Sequence, residues 1–170
     1  MDKRWIYILI ILIIGFSALY YIVVNSTTIG SAIVGINAFI FTIPDSFNIE
    51  NSDHGFASLV DRDTNEHILV KELGKGKSFN KSIEKELLNV ESDEDVKRIS
   101  STTEKYKDMT SKVINYEKEP NGTVNKVAVF SKFNHTFLIK STNFKDVDTL
   151  NEKTHFIMDT IKQDHKKKQS

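Results

Sequence analysis

The chain has 170 residues, with 23 Lys plus Arg balanced by 23 Asp plus Glu and no cysteine. Balanced charge leaves no overall field to recruit nucleic acid or an anionic surface. The absence of thiols excludes a disulfide framework and any thiolate metal site or nucleophile.

The first predicted element is a membrane anchor. From Trp5 to Val24 the run WIYILIILIIGFSALYYIVV carries no charge and follows directly on Lys3 and Arg4. At about 1.5 Å per helical residue it covers the roughly 30 Å hydrocarbon core of a bilayer. It is longer than the apolar core of a cleaved signal peptide, and Tyr20 and Tyr21 suit a membrane interface. The expectation is a retained single-pass signal anchor, with the membrane as its partner. Positive charge on one flank and none on the other until Asp45 puts residues 1–4 in the cytoplasm and the remainder outside, at the cell membrane with an extracellular domain. Residues 25–36 read as a stalk, 37–162 as one domain, and 163–170, with Lys166 to Lys168, as a disordered basic tail. A second span over residues 29–43 is shorter and interrupted by Gly30, Ser31, Gly35 and Asn37; the alternation of Phe39, Phe41 and Ile43 favours a strand.

Ala38 to Ile43 is that strand, ended by Pro44-Asp45-Ser46. Phe56 to Val60 and His67 to Lys71 flank the turn formers Asp61 to Glu66 and read as an antiparallel hairpin. After Gly74-Lys-Gly76 the period changes: Phe79, Ile83 and Leu87 form one stripe of an amphipathic helix. Ser92-Asp-Glu-Asp95 has helix-start spacing for one short turn through Ile99, and the polar run Ser100 to Lys107 reads as a mobile loop. Strands follow at Lys112 to Tyr116, Asn125 to Lys132 and Thr136 to Ser141, joined by hairpin chemistry at Pro120-Asn-Gly122 and Phe133-Asn-His135. A helix near Asp148 to Lys162, with Leu150, Ile157 and Ile161 on one stripe and Asp146 or Asp148 as cap, closes the chain. The order β-β-β-α-β-β-β-α predicts an α+β domain, one mostly antiparallel sheet covered by helices.

This order resembles the PsbP-like family, whose founding members are extrinsic proteins of photosystem II. The resemblance spans roughly residues 38 to 162. It is carried by the opening Phe41-Thr-Ile-Pro-Asp-Ser-Phe47, by the helix after the hairpin, and by the closing Phe137-Leu-Ile and Phe156-Ile-Met-Asp-Thr-Ile161. Ser46 stands where the family often has glycine. The resemblance implies a fold and a binding or assembly role, shared in shape with a nuclear import factor that binds Ran. It carries over no functional residue.

The best metal pattern is Asp61-x-Asp63-x-Asn65 with Glu72 at the twelfth position of a calcium loop, oxygen ligands at alternate positions being what a hard cation needs. Glu66 occupies the sixth position, where such a loop turns on glycine, and both flanks read as strands. An ordinary charged hairpin loop is expected instead. Gly74-Lys-Gly-Lys-Ser78 ends like a phosphate loop, but Lys71 stands where the first glycine belongs, so a turn with a helix N-cap at Ser78 is expected. The five histidines lack zinc spacing, and no G-x-S-x-G elbow is present. The runs Glu91 to Arg98 and Glu104 to Asp108 mix both signs, and the lone Tyr106 is no stacking platform, so no nucleic-acid partner is expected. No catalytic residue and no cofactor emerge. The expected function is a membrane-anchored, extracytoplasmic, non-enzymatic binding or accessory module with a protein, glycan or small-ligand partner in the cell envelope. The alternatives are a hydrolase-type enzyme, which would need a pocket of convergent His or carboxylate groups, and a structural or adhesion component.

Overall fold

Residues 33–164 are described by a computed structural model. They carry β1 (Ile33–Ile36), β2 (Phe39–Thr42), β3 (Asn48–Asp53), β4 (Phe56–Asp61), β5 (Glu66–Lys75), α1 (Phe79–Glu91), β6 (Val96–Tyr106), β7 (Met109–Lys118), β8 (Thr123–Lys132), β9 (His135–Phe144), α2 (Val147–Thr160) and β10 (Lys162–Gln163). Seven strands form one sheet in the order β3-β4-β5-β9-β8-β7-β6, and β1-β2-β10 form a second. Every neighbouring pair is antiparallel.

The large sheet consists of two meanders, β3-β4-β5 and β6-β7-β8-β9, sewn together by β5 and β9 in register from His67↔Thr142 to Lys75↔His135. Helix α1 carries the chain from the middle of the sheet to its far edge. Alternation along the central strands sends one apolar set to each face. Phe130, Phe137 and Ile139 pack with Phe39 and Phe41 of the small sheet and with Leu150, Ile157 and Met158 of α2. Val127, Val129 and Leu138 point the other way, onto Ile83 and Val90 of α1. The large sheet is thus buried on both sides, by α1 on one and by α2 with the small sheet on the other.

The expected α+β domain, with a single sheet of six strands covered by helices, is corrected by this arrangement. The fold is mostly β, and its strands lie in two sheets. Residues 33–36, read as stalk, pair with β2, and the strand expected at Ala38 to Ile43 is β2 itself. The polar run Ser100 to Lys107, read as a loop, belongs to the eleven-residue edge strand β6. Its residues are half-buried or exposed throughout, so it lacks the two-residue apolar period that betrays a strand. Strand β3, exposed along its whole length at the opposite edge, escapes notice for the same reason.

The membrane assignment is corrected too. The segment Trp5 to Val24 lies outside the described residues, as do 1–4, most of the expected stalk and the tail beyond 164. Among the described residues no helix is long and apolar enough to cross a membrane. Residues 33–43, considered as part of a second span, are strands β1 and β2. The single-pass description and the cell-membrane localisation therefore rest on no described element, and both are withdrawn.

Local chemistry matches the helix signals. Asp146 caps α2 by accepting from the Thr149 N–H at 2.7 Å. Ser78 occupies the N-cap position of α1 without a side-chain bond. Ser46 adopts φ 72°, the left-handed region that favours glycine.

If β6 is a paired edge strand, amide hydrogen exchange on the full chain is expected to show alternating protection from Val96 to Tyr106, where every second N–H faces β7. Uniformly fast exchange across that stretch would return it to a loop.

Candidate functional site

The calcium pattern does not converge. Asp61 and Glu66 face each other across the β4–β5 hairpin. The Asp61 carboxylate is occupied by the turn itself, accepting from the N–H groups of Asp63 at 2.9 Å and Thr64 at 3.3 Å. A hydrogen bond from Ser46 is the main cause that holds the Asp61 carboxyl below its ordinary range, whereas burial pushes Glu66 up. Asn65 takes φ 60° to close the turn. Glu72 lies six residues along β5 from Glu66, about 20 Å at strand rise, where it meets His135 Nδ1 at 2.7 Å. Among the described residues no group of three or more His, Asp or Glu is placed to hold a metal. The glycine-rich stretch is absorbed into the fold: Gly74 sits at a β5 bulge and Gly76 turns the chain toward α1.

What the fold does assemble is a cleft of about 280 Å³ between the start of α2 and the face of β6, β7 and β8. Strand β6 contributes Arg98, Ser100 and Glu104, β7 contributes Asn115 and Glu117, and α2 contributes Val147, Leu150 and Asn151. Two irregularities flank it. At the β6–β7 bulge between Lys97 and Ser100, Arg98 takes φ 49°, and its guanidinium reaches Glu117 at 3.4 Å. At the β8–β9 bulge between Val124 and Lys126, buried Asn125 replaces the missing ladder bonds, donating to Thr123 O at 3.0 Å and accepting from Asn143 N at 2.9 Å. Bulges re-aim side chains, and a non-glycine residue at positive φ costs of order 1–3 kcal/mol that the surroundings must offset.

The floor of the cleft is held by an ion pair with one buried member. Lys126, with 3% of its side chain exposed, donates to Glu104 Oε2 and to Asn151 Oδ1, each at 2.8 Å. From there a polar seam follows Asn151, His155 and Asp159, which recur every four residues along one face of α2. His155 stacks on Tyr106 with ring centroids 3.8 Å apart, and Asp159 accepts from the Tyr106 hydroxyl at 2.8 Å and from the Lys107 ammonium. Burial, seconded by the Lys126 charge, holds the His155 imidazole below its usual range. Burial alone would raise Asp159; the hydrogen bonds from Lys107 and Tyr106 outweigh it and bring the carboxyl down. Lys132 closes the seam by donating to the α2 carbonyls of Met158 at 2.6 Å and Asp159 at 3.0 Å, a cation at the negative end of the helix.

Of the sequence candidates none lines this cleft. Its residues come from four elements, and two of them, Ser100 and Glu104, lay in the stretch read as a loop. Two signals were present: a lysine, Lys126, leading an otherwise apolar β run, and the four-residue spacing of Asn151, His155 and Asp159 beside the apolar stripe of α2.

No family model matches the chain, and no curated protein matches it. Among solved structures, a protein of Bacteroides thetaiotaomicron aligns with TM-score 0.49 and 14% identity over 74% of this chain and 45% of the other. LpqN, involved in cell envelope biogenesis of Mycobacterium tuberculosis, aligns with TM-score 0.47 and 13% identity over 76% of this chain and 88% of its own. The chain therefore spans under half the length of the first of these structures.

Two measurements check the electrostatics. Glu104→Ala leaves the Lys126 ammonium buried with Asn151 as its remaining acceptor, and a loss of about 3 kcal/mol is expected. Adding Lys126→Met should restore most of it, and an unrescued double variant would deny that the buried charge is the cause. Burial also pushes the Tyr116 phenol up to about 12, above the ordinary 10.0 of a tyrosine. The folded state then keeps a proton that the unfolded chain releases, so this contribution to stability is present below pH 10 and lost between about 10 and 12. Alkaline spectrophotometric titration should show one late phenol, absent in Tyr116→Phe; its persistence in the variant would assign it elsewhere.

Proposed function

We propose that the chain is a non-enzymatic binding module that holds its ligand in the cleft between α2 and strands β6 to β8. The observation that carries this reading is that each charge at the cleft is matched within the protein: Arg98 with Glu117 at the mouth, Lys126 with Glu104 at the floor. Such a surface is built to be complementary to a polar molecule. No histidine lines the cleft, and the nearest one, His155, is stacked on Tyr106. General acid–base chemistry needs a proton carrier free to act on the bound molecule, and the two carboxylates of the cleft, Glu104 and Glu117, are each engaged in an ion pair. Two bulges at its borders, one holding Arg98 at positive φ, support a shaped site rather than an incidental gap.

The PsbP-like resemblance is part of the same proposal. It implies binding or assembly rather than catalysis, and Ser46 adopts the left-handed conformation at the position where that family often has glycine.

A thermal-shift screen of the full chain against a chemically mixed library of small polar molecules tests the reading, because a ligand of the native state raises the midpoint by mass action. Hits are expected, and Asn115→Ala is expected to abolish their effect while leaving the unliganded midpoint within about 2 °C. Hits that persist unchanged in that variant, or none at all, would remove the cleft as the binding site.

A further inference from the structure

We infer that the ligand of this cleft is neutral and rich in hydroxyl groups, a mono- or disaccharide unit; the inference rests on the binding reading above. The polar lining contains three hydrogen-bonding types. Glu104 and Glu117 accept, Arg98 donates, and the side chains of Ser100, Asn115 and Asn151 can do both. A hydroxyl donates and accepts at a single atom, so adjacent hydroxyls on a ring satisfy any neighbouring pair of these groups without a charge on the ligand.

Charged ligands fare worse on the same lining. A carboxylate or phosphate entering the cleft meets Glu104 and Glu117. An ammonium meets Arg98 and, directly behind Glu104 and Asn151, the Lys126 Nζ that contacts both at 2.8 Å. Like charges in a partly desolvated site repel, and this repulsion is a usual source of discrimination. The rest of the lining is Val124, Leu150 and Val147, the last 54% exposed, together with Tyr116 and Asn125. The exposed Val147 among polar groups suits a sugar ring, which has a C–H face and a hydroxyl rim. The volume of about 280 Å³ lies at the small end of ligand clefts and suits one or two rings.

A peptide strand added to the open edge of β6 is the competing occupant. That edge carries Lys97 and Lys105 and is bent by the bulge at Lys97–Ser100, devices that blunt strand addition.

The test uses the full chain, labelled with ¹⁵N and titrated with glucose, galactose, mannose and N-acetylglucosamine. Glucosamine and glucuronate serve as similar rings carrying one charge of either sign. At least one neutral sugar is expected to shift the amides of Ser100, Asn115 and Asn151 and to saturate in the millimolar range, with both charged rings about fivefold weaker or more. Asn115→Ala should weaken the neutral sugar by a similar factor. The methyl glycoside of the responding sugar separates the sources: equal binding points to a unit carried on a glycan, lost binding to a free reducing sugar. Preference for a charged ring overturns the neutral class and leaves the cleft as a binding site. Silence from all six overturns the saccharide inference alone, because the library screen judges the binding reading independently.

Discussion

The pairing of β5 with β9 is the contact on which the rest of the structure depends. It joins residues sixty to seventy-five positions apart and makes one sheet out of two meanders that each close locally. Until it forms, Ile68 and Val70 on one side and Phe137 and Ile139 on the other expose apolar surface that a meander cannot bury alone. Once it forms, α1 and α2 each acquire a complete face to pack against. Loop closure on this scale costs entropy before any non-local contact rewards it, so folding limited by this step is the physical expectation for such a topology.

Burying the sheet on both sides also explains where the cleft lies. Helix α2 and the small sheet cover β4, β5, β9 and part of β8, leaving the same face of β6 and β7 uncovered beyond the helix. A strand with one face uncovered carries polar residues there, which is why Ser100, Glu104, Asn115 and Glu117 occupy these positions. Lys126 stands at the boundary. Its Cα belongs to the core strand, whereas its ammonium belongs to the polar seam, and the long stem spans the two. A buried ion pair of this kind seldom adds net stability. Its effect is to fix the Glu104 carboxylate and the Asn151 amide in one orientation, and both of those groups face the cleft.

The elements with strong local signals were legible in the sequence. The β4–β5 hairpin follows from two apolar runs around Asp61 to Glu66, and α2 follows from its stripe and the Asp146 cap, because both are decided by neighbours in the chain. Strands β3 and β6 were not legible, since an edge strand solvated along its length has no apolar period and is defined by a partner that local sequence cannot display. The cleft was not legible for a related reason. Arg98, Glu104, Asn115, Lys126 and Asn151 have no common spacing, and tertiary pairing alone makes them neighbours. Asp61, Asp63, Asn65 and Glu72 had the reverse property. Their spacing suggested a site, but Asp61 is engaged by the backbone of the turn, Asp63 and Asn65 stay exposed in it, and Glu72 lies six residues along β5 from Glu66.

Ordinary strand geometry would not produce this cleft. A regular β6 would have no bulge between Lys97 and Ser100, and Arg98 would follow the alternation of its neighbours rather than closing on Glu117. A regular β9 would carry no extra residue between Ser141 and Phe144, and the Asn143 N–H would not turn to the Asn125 side chain. Both departures interrupt the ladder where the uncovered face meets α2, whereas the sheet's other two register shifts, at Ile49–Asn51 in β3 and Glu72–Gly74 in β5, lie away from it. A sheet optimised for stability alone has no reason to place two defects at one border. Their coincidence ties the edge of the sheet to the binding surface and sets β6, the most polar and least protected long strand, as the element whose position determines the width of the cleft.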